Sequence, residues 1–300
     1  MNLQFRNLPA SLHCATKNQS WLFSALIFCG VFAPIAHSQS AEDVLRAVRN
    51  GEVKAQYSAT QIVQRGGSRE VATLFRSGLK RRIEWSAPDV KAGDILVDDG
   101  QTVTLYHRAD NSAIQTRSFR KAPSIAPNGW KVGAPISQNG RTVRVLSRGK
   151  GRKISVDAKT NIVLQTENGG GVTSLQNIKF GPVAEAKFQF EKPAGVLITR
   201  VNGRLVNDLA TARRLTTWVK PPIQLPSGYV FESAIAAPNE IWLRYTNGQK
   251  RFSIFQQKTE DATEIAPQKV SGGWFWRKSG LRFLATGAPE SAIDALTKTN

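Results

Sequence analysis

The amino-acid sequence predicts an α+β protein that is built mainly from antiparallel strands and divided into two domains. The first observation is a run of about nine short apolar segments between residues 53 and 190, separated by glycine and asparagine turns with almost no helical pattern between them. The second is a helical pattern near Leu209 that is followed by another group of strand-like segments. Because consecutive strands with short connections usually pair, the first run predicts a large antiparallel sheet.

The first 38 residues have the pattern of a secretory signal peptide. Arg6 and Lys17 precede an apolar run over residues 21–33, and residues 36–38 supply the small-x-small pattern of a cleavage site. The apolar run is shorter than the roughly 18 residues that a membrane-spanning helix needs. We therefore expect cleavage between Ser38 and Gln39 and a mature, soluble, secreted chain; an uncleaved anchor is the alternative.

Cleavage at that position would limit the chemistry of the mature chain. Both cysteines, Cys14 and Cys29, would be removed, and His107 would be the one histidine left. Disulfides, thiol catalysis and multi-histidine metal sites would then be excluded. The sequence also contains neither a P-loop nor a Gly-x-Ser-x-Gly nucleophile elbow. We therefore predict a binding protein with no catalytic residue, no metal and no cofactor.

The chain is strongly basic, and its charge is unevenly distributed. Loss of Arg6 and Lys17, the two charged residues of the signal segment, would lower the formal net charge from +19 to +17. Residues 111–156 contain no Asp or Glu, so this stretch is expected to attract anionic partners such as lipid headgroups, glycolipids or acidic proteins. Nucleic acid is not expected, and a solvated surface that only aids solubility is the alternative. The residues that we assign to an anionic partner or headgroup are Arg141, Arg144, Arg148, Lys150, Arg152 and Lys153.

The N-terminal half begins with a short helix and continues with strands. Ser40 is expected to cap a helix over residues 41–49, and Asn50-Gly51 is expected to end it. Asp98-Asp99-Gly100-Gln101 predicts a tight hairpin. The proline-rich residues 118–138 are expected to lie across the open face of the sheet. The predicted strands are residues 53–64, 71–75, 79–85, 95–97, 103–106, 143–146, 153–156, 162–166, 172–178 and 186–190.

The C-terminal half begins with a helix that Asn207 or Asp208 would cap and that would end near Lys220. Asn247-Gly248 predicts a hairpin, and Pro289 opens a final helix in which Ile293 and Leu296 face the core. The aromatic run 274–276 must place side chains on both faces of a strand, so at least one is expected at an edge, a seam or a partner surface. The predicted strands of this half are residues 229–233, 241–246, 249–257, 273–278 and 281–285. The resulting boundaries are 1–38 for the signal peptide, 39–195 for the N-terminal domain, 196–206 for a linker and 207–300 for the C-terminal domain.

Eight short motifs follow one another along the chain in a characteristic order. In the N-terminal half they are AEDVLRAV (41–48), YSATQIV (57–63), RRIEWSAP (81–88) and ILVDDG (95–100). In the C-terminal half they are LPSGY (225–229), WLRYTNG (242–248), FSIF (252–255) and ATGAPE (285–290). Together with the signal peptide, their order and spacing resemble the MucB/RseB family of periplasmic sigma-factor regulators.

The resemblance implies a fold and a function. The N-terminal domain would be similar to the LolA/LolB lipoprotein carriers, an incomplete antiparallel β-barrel whose concave face holds acyl chains under helical cover, followed by a smaller α+β domain. The chain would bind the periplasmic domain of a membrane-spanning anti-sigma factor and so regulate an extracytoplasmic sigma factor, with lipid or lipoprotein as the releasing signal. Peripheral contact with the membrane is compatible with this function.

The sequence departs from the expected pattern in one respect, because residues 118–138 are short and proline-rich where more helix is expected. A LolA-like carrier of lipids or lipoproteins in the periplasm is the alternative function. The residues that we assign to the apolar lining for acyl chains are Phe75, Trp85, Leu96, Val103, Leu105 and Tyr106.

Overall fold

The computed structural model describes residues 39–109, 111–121, 125–149 and 151–298, which lie in one compact unit. Their strands form two open sheets, and few helices accompany them, which confirms the α+β class. The helices are α1 (Ala41–Lys54), α2 (Leu209–Leu215) and α3 (Ile293–Leu296), with 3-10 turns at Asp89–Lys91, Glu185–Phe188 and Glu290–Ala292. The expected cleavage position lies at the margin of this region, since Ser38 is outside the described residues and Gln39 is the first of them.

The first sheet contains 13 strands and the second contains seven. The strands of the first sheet are β1 (Gln56–Arg65), β2 (Ser68–Ser77), β3 (Lys80–Ala87), β4 (Ile95–Asp98), β5 (Thr102–His107), β6 (Ser112–Arg117), β7 (Lys131–Val132), β8 (Ile136–Gln138), β9 (Arg141–Arg148), β10 (Arg152–Asp157), β11 (Val163–Asn168), β12 (Gly171–Phe180) and β13 (Leu197–Arg200). The strands of the second sheet are β14 (Arg204–Val206), β15 (Val230–Ala236), β16 (Glu240–Thr246), β17 (Arg251–Lys258), β18 (Ile265–Val270), β19 (Gly273–Lys278) and β20 (Leu281–Thr286).

The first sheet runs in the order β13-β6-β5-β4-β3-β2-β1-β12-β11-β10-β9-β7, with β8 also paired to β9. The pairs are antiparallel, except that β13 is parallel to β6. The two end strands of this order do not pair with each other, so the sheet is not closed into a barrel. The hairpin predicted between β4 and β5 is confirmed.

Helix α1 begins as predicted but ends later. The Ser40 side chain accepts a hydrogen bond from the Asp43 N–H at 3.1 Å, which caps the helix. The prediction that Asn50-Gly51 ends the helix is wrong, because the helix continues to Lys54. A Cβ atom at Gly51 would lie 2.7 Å from the Thr160 carbonyl oxygen, so glycine is needed here for close packing against the turn between β10 and β11 and not to end the helix.

The extra turn of α1 places the side chain of Glu52 against the first sheet, where it is buried. Its carboxylate pairs with the Arg76 guanidinium, and its Oε1 accepts a hydrogen bond from the Val163 N–H at 2.9 Å. Both side chains are buried, and each charge is compensated by the other, because an unpaired buried charge would be strongly destabilising. The helix is therefore fixed to the sheet at its C-terminal end.

Two further predictions for the N-terminal half are corrected. The described part of residues 118–138 does not form one layer across the open face. Phe119 and Arg120 line a pocket with Val103, whereas β7 and β8 pair with β9 at the sheet edge and Trp130 and Val132 pack with the apolar face of α1. Residues 186–190 are not a strand, because Glu185–Phe188 forms a 3-10 turn that buries Phe188.

The second sheet has its own apolar core, and the predicted roles of Ile293 and Leu296 in it are confirmed. The hairpin at Asn247-Gly248 is also confirmed, between β16 and β17. Helix α2 is shorter than predicted and ends at Leu215, where the Thr216 N–H and hydroxyl both bond to the Ala212 carbonyl. The residues predicted as a linker, 196–206, form β13 and β14, one on each sheet.

Candidate functional site

A cavity of about 280 Å³ lies between the two sheets, and we call it the intersheet cavity. Its apolar lining, which we call the apolar wall, comes mainly from the first sheet. Its charged lining, the charged wall, takes residues from both sheets, and its members Arg81 and His107 share a face of the first sheet with Ile83 and Leu105. The apolar lining consists of Val63, Ile83, Trp85, Leu96, Leu105 and Leu205, and the charged lining consists of Arg65, Glu70, Arg81, Lys91, Asp94, His107, Glu232, Arg244 and Arg251. A site of this composition can bury an apolar group and hold a charged one beside it.

Strand alternation places the apolar wall. Leu74, Ile83, Leu96, Leu105 and Ile114 are directly opposed on five consecutive strands, β2 to β6. Directly opposed residues share a face of the sheet, so these side chains form one continuous apolar row.

Four of the six residues predicted to line a lipid site lie on this face. Trp85, Leu96 and Leu105 line the intersheet cavity, and Val103 lines a neighbouring pocket. The placement of Phe75 and Tyr106 on the same face is wrong. Phe75 opposes Arg82 and Tyr106 opposes Ile95, so both belong to the opposite set of the pleat. A one-residue difference in register reverses the face, and the sequence does not fix it.

The charged wall joins the two sheets through ion pairs around Lys91. The Lys91 Nζ lies 2.8 Å from Glu70 Oε1 on the first sheet and 2.6 Å from Glu232 Oε1 on the second. It also lies 5.5 Å from the centre of the Trp85 ring, whose Nε1–H donates to Glu70 Oε2 at 3.2 Å. The ammonium group is therefore surrounded by two carboxylates and an aromatic face.

Arg251 and Asp94 form a second link between the sheets. The Arg251 Nη2 lies 2.8 Å from Asp94 Oδ2, and its Nε lies 3.2 Å from Glu232 Oε2 in an ion pair that is not aligned as a hydrogen bond. Burial by itself would raise the pKa of the Glu232 carboxyl, but Lys91 and Arg251 lower it below its usual value. Both carboxylates are therefore charged at neutral pH.

His107 lies at the end of this network and is buried. Its Nδ1 is 3.1 Å from Asp94 Oδ2, and Arg244 of the second sheet contacts its Nε2. Burial lowers the pKa of His107; the Asp94 hydrogen bond opposes this, and the Arg244 cation reinforces it. The neutral ring with its proton on Nδ1 fits both neighbours, because it donates to Asp94 and accepts from Arg244.

A second, smaller pocket of about 230 Å³ shares Arg81 and Leu205 with the intersheet cavity; we call it the arginine pocket. It is lined by Arg81, Asp98, Val103, Arg117, Phe119, Arg120, Arg204 and Leu205. Four guanidinium groups thus face one carboxylate. The nearest pair is Arg81 Nε to Asp98 Oδ2, at 3.9 Å.

The arginine pocket contains donors that are not satisfied. In the described part of the chain, the buried Arg81 Nε and Arg120 Nη1 atoms have no hydrogen-bond partner. Burial, and next to it the Arg81 cation, lower the pKa of Arg120 to about 9. An anion in this pocket would satisfy those donors and reduce the repulsion between the arginines.

The basic residues predicted for an anionic partner do not form one patch. Arg144, Arg148 and Arg152 share one face of β9 and β10, while Arg141 and Lys153 lie on the other. Arg141 pairs with Asp157 at 3.0 Å, and Lys153 with Glu167 at 3.4 Å. Lys150 lies outside the described residues. The prediction of a single basic surface is corrected, because strand alternation splits the residues and carboxylates from neighbouring segments pair with two of them.

The aromatic run at 274–276 alternates as expected. Trp276 is buried and stacks on Phe283 with 4.9 Å between ring centres, and Trp274 also packs against the core. Phe275 lies on the opposite face, where Leu284 opposes it and Phe255 opposes Leu284. It therefore lies on the same face of the second sheet as Arg244, which lines the intersheet cavity.

The charged residues of both pockets were not predicted from the sequence. Arg244 and Arg251 alternate with apolar neighbours as exposed residues of a strand do, whereas Arg81 shares the face of Ile83 and Trp85. The available signal was weak, since charged residues inside apolar strands also occur on exposed faces. Only the contact between the sheets shows that these charges are buried.

The described residues set limits on other kinds of site. They contain no group of three or more His, Cys, Asp or Glu side chains arranged to hold a metal ion. Among them, no helix combines the length and the apolar character needed to cross a membrane.

Comparison with known proteins gave matches among solved structures alone; no family model and no curated protein matches this sequence. MucB is 16% identical, with a TM-score of 0.43, over 85% of this chain and 95% of MucB. The complex of MucA and MucB from Pseudomonas aeruginosa gives 15% identity, a TM-score of 0.40, and coverage of 86% of this chain and 97% of the matched chain. An uncharacterized conserved protein from Thermus thermophilus gives 16% identity, a TM-score of 0.42, and coverage of 54% of this chain and 100% of its own. These TM-scores lie below 0.5, so a functional proposal has to rest on this chain's own residues.

Proposed function

We propose that this chain is a non-enzymatic periplasmic binding protein that regulates an extracytoplasmic sigma factor. It binds the periplasmic domain of a membrane-spanning anti-sigma factor, and an acyl chain of a lipid or lipoprotein in the intersheet cavity releases that partner. The observation that carries the proposal is the cavity itself, which combines an apolar row on the first sheet with ion pairs that join the two sheets. A ligand there would act on both halves of the molecule at once.

The composition of the two pockets supports an acylated, anionic ligand. Each methylene group buried against Ile83, Leu96 and Leu105 contributes about 0.8 kcal/mol. The arginine pocket continues from the cavity through Arg81 and offers unsatisfied donors to an anionic headgroup. One amphiphile can therefore use both pockets.

The location and the class of partner follow from the sequence. The signal-peptide pattern supports export to the periplasm, and the ordered motifs resemble those of sigma-factor regulators. The described residues suggest no nucleophile near His107, and the pairing of this residue with Asp94 and Arg244 favours a structural role. We therefore propose binding without turnover.

The partner is tested by crosslinking in cells. The full-length chain with a C-terminal tag is crosslinked in its native host, and mass spectrometry identifies the captured proteins and lipids. Capture of a single-span anti-sigma factor is expected. Capture of lipoproteins or lipids with no anti-sigma factor would overturn the regulator and favour the LolA-like carrier.

The ligand site is tested with cis-parinaric acid, a fluorescent fatty acid, and protein purified from the periplasm. Leu105→Trp should weaken binding at least about tenfold, equivalent to 1.4 kcal/mol, because the indole fills the cavity. Phe75→Leu is the matched control, since this residue lies on the opposite face. Equal binding by wild type and Leu105→Trp, or no binding by wild type, would contradict the proposed lipid site.

A further inference from the structure

Strand β13 forms an edge of the first sheet that is open to a partner. It was predicted as part of a linker, but Leu197–Arg200 pairs in parallel with β6 at the end of the sheet. All four of its residues are exposed, and the Leu197 side chain is the most exposed large apolar group in the described chain, at 74%. No other strand of the described residues pairs with its outer side.

The backbone of β13 presents hydrogen-bonding groups outward. The Leu197 N–H donates to the Asn111 carbonyl at 3.3 Å, and the Val201 N–H donates to the Gln115 carbonyl at 2.9 Å. Because backbone groups alternate sides along a strand, the N–H and C=O groups of Ile198 and Arg200 point away from β6. These groups form a template for one more strand.

The other sheet edges carry features that discourage strand addition. The edge strand β18 contains Pro267 and an irregular register between Ile265 and Gln268. The edge strands β7 and β14 have only two and three residues. By contrast, β13 contains no proline and keeps a continuous register with β6 over four residues. Of the usual protections of an edge strand, it lacks a proline and a bulge, and it carries one charge, that of Arg200.

Charge identifies the kind of strand that fits. Arg117, Arg200 and Arg204 are exposed at the ends of β6, β13 and β14, and residues 112–117 and 195–206 contain no Asp or Glu. A second copy of this chain would bring a second set of these arginines to the same edge, at a cost in repulsion. The basic edge therefore favours an acidic segment.

We propose that an extended segment carrying Asp or Glu residues binds by adding a strand to the free edge of β13. This proposal rests on the proposed function for the identity of the partner, the periplasmic domain of the anti-sigma factor, but the mode of binding is independent of it. Residues 201–203 lead from β13 to β14 of the second sheet, so a strand added here would lie beside the segment that joins the two sheets.

The test uses a proline substitution on the outward side of the strand. Ile198→Pro removes an N–H that the sheet does not use, so the fold is retained, while a partner strand loses its donor. Ile198→Val is the matched control, because it keeps the N–H and the β-branched side chain. The measurements are the affinity for the purified periplasmic domain and the hydrogen exchange of the Ile198 and Arg200 amides.

The expected result is at least tenfold weaker binding by Ile198→Pro, unchanged binding by Ile198→Val, and protection of both amides in the wild-type complex. Equal binding by Ile198→Pro would overturn the β13 surface while the proposed function stands. If the anti-sigma domain does not bind wild type, the proposed function fails, and the edge is tested with a synthetic peptide of alternating valine and glutamate.

In that second test, protection of the Ile198 and Arg200 amides by the valine-glutamate peptide, and not by a valine-lysine peptide, supports the proposal. Lack of protection overturns it. Light scattering of the protein alone provides a further control. If the protein alone is a dimer and Ile198→Pro dissociates it, the occupant of the β13 edge is a second copy of the chain, and the acidic partner is overturned.

Discussion

Lys91, in the 3-10 turn between β3 and β4, and Glu232 of the second sheet form a buried ion pair, with Lys91 Nζ 2.6 Å from Glu232 Oε1. Their side chains are only 6% and 7% exposed. Glu70 and Arg251 extend the pair into a network that crosses between the sheets. The contact beside the intersheet cavity is therefore largely made of charged side chains. Burial of each charge is tolerated only because a partner of opposite charge contacts it.

Removal of Lys91 should destabilise the protein strongly. Lys91→Met leaves Glu70 and Glu232 buried without their shared cation, and breaking a buried pair in this way costs about 3–5 kcal/mol. The free energy of unfolding, measured by urea denaturation, should fall by that amount. The double variant Lys91→Met/Glu232→Gln should recover part of the loss, because one uncompensated charge is removed.

The matched control for this pair is Lys269→Met. Lys269 pairs with Glu290 at 3.6 Å, but both side chains are about 70% exposed. A surface pair of this kind contributes about 0–1 kcal/mol. A loss at Lys91 no greater than that at Lys269 would contradict a structural role for the intersheet ion pairs.

Stability should decrease as the pH falls below neutrality. The pKa of His107 is lowered in the folded state, mainly by burial, so the unfolded chain binds a proton at a higher pH than the folded one. The contribution is complete above the unfolded pKa, near 6.5, and is lost as the pH falls from there towards the folded value. Urea denaturation at pH 7.5, 6 and 5 should show this slope.

His107→Gln provides the comparison for the pH series. The amide can donate to Asp94 but does not titrate, so the part of the slope between pH 7.5 and 5 that arises from His107 should disappear. Burial by itself would raise the pKa of Asp94, but the His107 hydrogen bond and Arg251 lower it, and this contribution is lost only near pH 4 and below. An identical slope in wild type and variant would assign the effect to other groups.

Inorganic phosphate should stabilise the protein through the arginine pocket. A bound anion at 100 times its dissociation constant adds about 2.7 kcal/mol, which raises the Tm by several degrees for a chain of this size. Arg120→Met should abolish that rise. Without phosphate it should leave the Tm unchanged or higher, because it removes a buried guanidinium with an unsatisfied donor.

The control for the phosphate experiment is Arg152→Met on the exposed part of β10. It should keep the full rise in Tm at matched ionic strength. A rise that persists in Arg120→Met, or that is lost in Arg152→Met, would place the anion elsewhere on the basic surface.

Gly51→Ala should destabilise the protein although the residue lies in a helix. At an exposed helical position, alanine is favoured over glycine by about 1 kcal/mol. Here its Cβ would meet the Thr160 carbonyl oxygen at 2.7 Å, so we expect a loss of about 1–3 kcal/mol from overpacking. Gly169→Ala is the control, because its Cβ meets nothing within 4 Å. Equal stability of the two variants, measured by urea denaturation, would contradict the close packing of α1.

The sequence predicted correctly those elements that depend on contacts between residues close together in the chain. The Ser40 cap, the hairpin at Asn247-Gly248 and the buried pair Ile293 and Leu296 depend on short-range chemistry and were confirmed. The end of α1 was missed because Gly51 serves a contact with Thr160, more than 100 residues away. The strand at residues 197–200 was missed because its only partner, β6, lies about 85 residues earlier.

The sequence by itself determined the α+β class, the open run of antiparallel strands and the excess of positive charge, because composition and periodicity act within a few residues. Only the tertiary structure decided which face each side chain takes and which charges become buried. Phe75 and Leu96 were assigned to one lining but lie on opposite faces, since strand register is fixed by pairing and not by the strand alone. The Lys91–Glu232 pair exists only where the two sheets meet, because burial of a charge depends on the partner that reaches it.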